Sequence, residues 1–321
     1  MRRAFTAWVV MSVLLAGCMK DELPVQKTPR GNAATYQFCL GEGYGQQLWF
    51  DLGSGTVVSD NARTVWDLAF ESAPDGWRVF LNGSRLMTAW DIGAVDLEAA
   101  HDTVGMHAGR RIDAPSGRAD STAIGDWRGA GHVYLIDRGY GANGESLDPI
   151  KLRMIGVSTT AYSIECAQLD GSGRTTFTVD KDPLREHTSF SFSTGVLPVE
   201  PVIGAWDFCI TQYTHQFYEP YLPYLVAGML TPHSVRVAEI DGMDFAAVVL
   251  SDTLSSPFTG ERNAIGYDWK VYSFETSSYS IVPRRSYIVQ DAEGFFFKLR
   301  GIEFYGPQGQ TGCPQFEVVP L

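Results

Sequence analysis

The sequence lacks the features that mark most enzymes. It contains no GxSxG elbow, HExxH pair, P-loop or calcium-loop pattern, the arrangements that hold a nucleophile, a zinc, a phosphate or a calcium ion. There are five cysteines, none with CxxC or Cys/His zinc spacing, which argues against a structural zinc. Positive charge is scarce: 25 Lys and Arg stand against 37 Asp and Glu, a formal charge of −12. That balance opposes binding to nucleic acid or to anionic lipid, whose phosphates select basic surfaces. Beyond Leu15 no apolar run has the length to span a bilayer. Helical periodicity is weak too, and the best amphipathic stretch, residues 94–100, is short. The acids Asp291 and Glu293 fall in a hairpin turn, where solvation explains them, so no catalysis is expected.

The N-terminus does carry a signal. Arg2 and Arg3 precede an apolar run over residues 4–15, which ends in Leu15-Ala16-Gly17-Cys18. This pattern predicts a lipoprotein signal peptide over 1–17, cleaved before Cys18, with Cys18 acylated. More than one acyl chain gives stable attachment, so the membrane is held by the lipid anchor only. Residues 18–34 read as a lipidated tether, with Pro24, Pro29 and Gly31 and no periodicity. Lys20-Asp21-Glu22 resembles an acidic export signal, so the expected place is the outer membrane, exposed at the cell surface. Cys39, Cys166, Cys209 and Cys313 then form an even set in an oxidising compartment, open to three pairings.

Strand-like alternation dominates the rest. Leu48-Trp49-Phe50-Asp51-Leu52, His132-Val133-Tyr134-Leu135-Ile136, Thr176-Phe177-Thr178-Val179 and Phe295-Phe296-Phe297-Lys298-Leu299 are short, β-branched or aromatic, and bounded by turn residues. The predicted class is all-β, built of antiparallel sheets with few short helices. The chain also resembles itself. Residues 48–70 line up with 189–210, so that Trp66-Asp67 corresponds to Trp206-Asp207. Asp126-Trp127 corresponds to Asp268-Trp269, and Lys151-Leu152-Arg153 to Lys298-Leu299-Arg300. Two repeats are expected, 35–170 and 171–321, with the four tryptophans packed in cores. The repeat favours one disulfide inside each half, Cys39 with Cys166 and Cys209 with Cys313. Function is expected where the copies differ, in the middles 85–122 and 218–262.

Two stretches carry a family resemblance. Gly43-Tyr44-Gly45-Gln46-Gln47-Leu48-Trp49-Phe50-Asp51-Leu52, followed by Trp66-Asp67-Leu68-Ala69-Phe70 and Phe80-Leu81-Asn82-Gly83, resembles the opening of HmuY-like proteins. The closing segment, Asp268-Trp269-Lys270-Val271-Tyr272 through Asp291-Ala292-Glu293-Gly294-Phe295-Phe296-Phe297-Lys298-Leu299 to Gly312-Cys313-Pro314, is similar to that family's C-terminal signature. The resemblance implies an all-β, lipid-anchored protein that holds haem through two axial side chains in its variable middle. It also implies delivery of haem, taken free or from haemoproteins, to an outer-membrane TonB-dependent-type receptor.

A haem site needs axial donors, an apolar slot and a cation near the propionates. The first middle offers Met87, His101, Met106 and His107 as donors, with Arg110 and Arg111 as propionate partners. The second offers Met229, His233 and Met243, flanked by Tyr218, Tyr221 and Tyr224. His101 and His107 are spaced to face one ligand from opposite sides of a loop. His132, His187 and His215 fall on or near scaffold strands and read as structural. The competing expectation is a surface module without haem, recognising a protein or glycan through exposed aromatics.

Overall fold

Residues 27–321 are described by the computed structural model; the signal segment, Cys18 and the first part of the tether lie outside the described residues. The described residues form twenty strands, among them the runs at 48–52, 132–136, 176–179 and 295–299 that the alternation predicts, with a single-turn α-helix and a few 3-10 turns. No helix among the described residues is long and apolar enough to cross a membrane.

The strands assemble into four main antiparallel sheets. One outer sheet runs, in spatial order, Ala34–Gln37, Gln315–Pro320, Phe296–Glu303, Arg285–Gln290 and Arg236–Asp241. The other runs Thr175–Asp180, Ala161–Ala167, Ile150–Val157, Val133–Asp137 and Thr88–Asp91. Two inner sheets lie between them. The first contains Gly195–Leu197, His187–Ser191, Leu68–Glu71 and Val79–Leu81; the second contains Tyr221–Leu230, Phe208–Tyr218, Gln46–Asp51 and Thr56–Ala62. Each inner sheet therefore joins strands from before and after residue 170. Neither span, 35–170 or 171–321, holds a whole inner sheet.

Each outer sheet packs on one inner sheet. Phe50, Phe208, Ile210, Tyr287, Phe297 and Phe316 make one core, while Leu68, Phe70, Tyr134, Leu152, Tyr162 and Phe190 make the other. Burying these large apolar side chains supplies the main driving force. Trp49, Trp206, Cys209 and Val199 then bind the inner sheets to each other.

Positions matched by the internal comparison make matching contacts. Asp67 accepts the Phe192 N–H at 2.9 Å, and Asp207 accepts the Leu52 N–H at 2.7 Å. Each thereby ties one strand of an inner sheet to the turn after its neighbour, satisfying a backbone donor that burial would otherwise leave orphaned. Lys151 donates to the carbonyls of Leu97 and Ala99, and Lys298 to those of Phe245 and Val248. Both ammonium groups are buried, so these carbonyls offset a desolvation that pushes each lysine pKa down.

Those lysine contacts also explain a correction. Residues 94–100, expected as a helix, form turns instead. The carbonyls of Val95, Leu97 and Ala99 are taken by Arg153 and Lys151, leaving them unavailable to a helical ladder. The segment serves as a cover, packing Leu97 against Val133 and Ala167 on the far face of its outer sheet.

The cysteine pairing differs as well. Cys39 is bonded to Cys313, whereas Cys166 and Cys209 are buried free thiols. The first strand pairs with the last, and their continuation, through Phe38 N–H to Pro314 O and Leu40 N–H to Gly312 O, brings the two Cα atoms to 4.0 Å. Cys166 belongs to the other outer sheet and Cys209 to an inner one, so neither expected partner lies in the right sheet.

Asp207 has no cation beside it. Burial pushes its carboxyl up to about 7, against the Leu52 N–H, with Asp291 and Asp51 adding to the rise. A carboxyl raised in the folded state binds more protons than in the unfolded one between about pH 4 and 7. Stability is therefore greatest below that window and is lost as pH rises through it, by at most about 4 kcal/mol. Asp207→Asn is expected to flatten this fall, read as urea-unfolding free energies at pH 5 and pH 8; an unchanged difference between the two would refute the assignment.

Candidate functional site

The expected donors are dispersed by the fold. Met87 and Met229 are each 1% exposed and sit in different cores, Met87 with Ala89 and Trp127, Met229 with Phe208 and Val235. A thioether packed on all sides has no open face for iron, so these two are corrected to core residues. Met106 is buried within a short α-helix, α1 (Met106–Gly109), and His107 stands exposed on it. Backbone atoms at Gly105 and Gly109 lie close on the Trp90 indole, and the His101 ring packs edge-on to it at 6.0 Å. His101 Nδ1 is already bonded to the Asp102 carbonyl at 2.8 Å. Arg111 exchanges backbone bonds with Ala89, and Arg110 is half-buried beside it. The first loop thus closes on Trp90.

The second set is spread more widely. His233 lies exposed in a turn, its N–H donating to Glu186 Oε2 at 3.2 Å. Met243 packs against Ile240 and Val248 on the far face of the outer sheet. Met243 thus belongs to a different core from Met229.

A cavity of about 120 Å³ separates the inner sheets, lined by Trp49, Trp66, Phe80, His187, Tyr213 and Arg262 among others. Ligand pockets for drug-sized molecules run to roughly 300–1,000 Å³, so this one is too small for a macrocycle.

A different surface has the required character. The long hairpin Phe208–Tyr218 and Tyr221–Leu230 places His215 directly across from Tyr224, and Phe217 across from Leu222. Cross-strand partners share a face, and the rings meet: His215 to Phe217 at 4.8 Å, His215 to Tyr267 at 4.9 Å, Phe217 to Tyr224 at 6.4 Å. Tyr218, Tyr221 and Tyr224 are exposed at or near the tip. The aromatic surface continues through Tyr44, Tyr305 and Tyr279, whose phenol is pushed up by burial and then by Tyr44, Tyr224, Tyr272 and Tyr305. Tyr272 carries it on to Phe274, which is 91% exposed.

His215 is the polar centre of this face. Its Nδ1 is buried with no hydrogen-bond partner, and the ring makes no hydrogen bond among the described residues. Burial lowers its pKa, Asp268 opposing, so the imidazole is neutral at neutral pH; with Nδ1 enclosed, Nε2 is the nitrogen left to act as a metal ligand. Below lies Lys270, whose ammonium is 4.4 Å from the Trp269 ring and donates to the carbonyls of Ala227 and Tyr267. Burial pushes this lysine down to about 7.

Reading the sequence put His215 with the structural histidines. The available signal was the period of two along Tyr213-Thr214-His215-Gln216-Phe217, set against Tyr224 across a two-residue turn. His132 and His187 each have a carboxylate partner, Asp91 and Glu200, at 2.9 and 3.0 Å.

Comparison with known proteins bears on this geometry. No curated protein matches the chain. Among solved structures, apo PinO from Porphyromonas gingivitis is 8% identical, with 91% of this chain and 98% of that one covered and a TM-score of 0.30. A candidate HmuY-like heme-binding protein from Bacteroides vulgatus is 11% identical, covering 53% of this chain and 91% of its own, at a TM-score of 0.24. A candidate lipoprotein from Bacteroides fragilis is 10% identical, with coverage of 52% and 92% and a TM-score of 0.25. Scores this low carry no weight for site or mechanism. The family described as HmuY protein, in contrast, matches from residue 43 to residue 318. That match takes in both inner sheets and nearly all of both outer ones, and the chain belongs to the HmuY family.

Proposed function

We propose that this HmuY-family protein binds haem against the aromatic face of the 208–230 hairpin, with His215 as the axial donor. The observation that carries the reading is an imidazole with no hydrogen-bond partner, held neutral by burial, among rings that a flat macrocycle can cover. Haem supplies an iron that accepts a neutral nitrogen ligand. The protein's part is to orient His215 between Phe217 and Tyr267 and to shed water from Leu222 and Tyr224. Of the donors read from sequence, His101 and His107 remain the alternative ligands, with Arg110 and Arg111 as their propionate partners. The proposal extends to a lipid on Cys18, a place at the outer membrane surface, and delivery of haem to a TonB-dependent-type receptor.

Titrating the detergent-solubilised chain with haemin tests the site. A Soret band is expected at about one equivalent, with affinity falling at least about tenfold in His215→Ala and unchanged in His233→Ala. Loss of the band in a His101 and His107 double variant, with His215→Ala unaffected, would move the site to the Trp90 loop. No band in any variant would leave the second reading, a glycan or protein stacked on exposed Tyr218 and Tyr221.

A further inference from the structure

Beside the central cavity, whose wall includes His187 and Glu200, three potential metal ligands from two chain segments converge. Glu186 and His187 open the inner strand His187–Ser191, and Glu200 follows the short strand Gly195–Leu197. One ligand atom from each lies within 4.8 Å of the others. His187 Nδ1 is 3.0 Å from Glu200 Oε2, and Glu200 Oε1 accepts the Glu186 N–H at 2.9 Å. His187 and Glu200 are 4% and 5% exposed, while Glu186 is half-buried. The second nitrogen of His187 has no hydrogen-bond partner among the described residues, and the ring borders the cavity with Phe80 packed edge-on at 5.2 Å. Despite burial, His187 and Arg262 hold the Glu200 carboxyl low, so it is a carboxylate at neutral pH.

We propose that Glu186, His187 and Glu200 form a site for one divalent cation of zinc-like preference. The donor set suits it: one imidazole and two carboxylates are nitrogen and oxygen ligands of the kind zinc takes. Zinc bonds of about 2.0–2.2 Å set neighbouring donors roughly 3–3.6 Å apart, a separation the His187 and Glu200 atoms already have. Glu186, the least buried of the three, closes the remaining gap by side-chain rotation. On binding, the metal takes the place of the proton between His187 Nδ1 and Glu200; the ring keeps a single proton, on Nε2, and any second proton leaves to solvent. Three protein ligands leave a fourth position for water. None of these residues belongs to the hairpin face, so the site stands or falls apart from the haem reading.

The test uses the full chain, stripped with a chelator and titrated with zinc chloride alone in a calorimeter. One equivalent is expected to bind with micromolar or tighter affinity. Glu186→Gln, an isosteric change at a half-exposed side chain, is expected to weaken binding by about tenfold or more while leaving the unfolding midpoint unchanged. His233→Ala, whose residue touches Glu186 through its backbone N–H, is expected to bind zinc normally. No uptake by the parent chain, uptake indifferent to Glu186→Gln, or loss of uptake in His233→Ala would each overturn the proposal. A haemin titration of Glu186→Gln that matches the parent keeps the two sites distinguishable.

Discussion

Serine in place of Cys39 or Cys313 is expected to lower the unfolding free energy by about 3–5 kcal/mol, the largest covalent effect available in this chain. The bond joins residues separated by 274 positions, so it closes nearly the whole described chain into one loop. In the chain-entropy account, such a loop removes much of the freedom of the unfolded ensemble, and the saving grows slowly with length. The folded state loses little else. The first strand keeps its pairing with Gln315–Pro320, and Arg30 keeps its contact with Asp291 at 3.0 Å. Denaturant unfolding with and without reductant reads the effect, and the parent under reductant should match the serine variants. The same experiment counts thiols. Burial pushes the Cys166 thiol up to about 12 and the Cys209 thiol higher still, so neither should react in the folded protein. Apart from Cys18, unfolding without reductant should release two reactive thiols; none would indicate a second bridge, and four would deny the first.

Asp67 and Asp207 occupy matching places yet should respond oppositely to asparagine. Asp67 is fully buried and faces Arg85 at 2.6 Å, itself 4% exposed, with Arg138 at 3.4 Å. Removing one partner of a buried ion pair strands the other charge, so Asp67→Asn and Arg85→Ala should each cost about 3–5 kcal/mol. Asp207, pushed up to about 7 by burial with no such cation, should cost little as asparagine at neutral pH and should gain stability at pH 8. Urea unfolding of the two asparagine variants at pH 7.5 makes the comparison. Equal losses would show that Arg85 contributes nothing beyond packing. A cycle with Arg85→Ala should be strongly non-additive for Asp67 and additive for Asp207.

Much of the fold was legible because it is written in local chemistry. Thr175–Asp180 alternates with a period of two, Val133–Asp137 and Phe296–Glu303 are short runs rich in β-branched or aromatic residues, and all three are strands. The matched Lys151 and Lys298 are legible for another reason. A buried ammonium needs several carbonyls in fixed places, and both lysines find them in a covering segment of the chain. The 94–100 segment was misread because its helix-like spacing says nothing of side chains from a distant strand that claim its carbonyls.

The candidate site was less legible. Met87 and Met229 are donors by residue type alone, and only core packing shows that both are enclosed. His215 looks like any strand histidine until Tyr224 and Tyr267 are brought beside it.

By itself the sequence determined the positions of several strands, the recurring Trp-Asp and Lys-Leu-Arg patterns and the family, since each depends on residues near one another or on recurring patterns. The tertiary structure alone decided that Cys39 meets Cys313, that the inner sheets mix the two halves, and that His215 lacks a partner. Those outcomes depend on which distant strands pair. Strand pairing is set by the collective burial of both faces, and no local pattern encodes it.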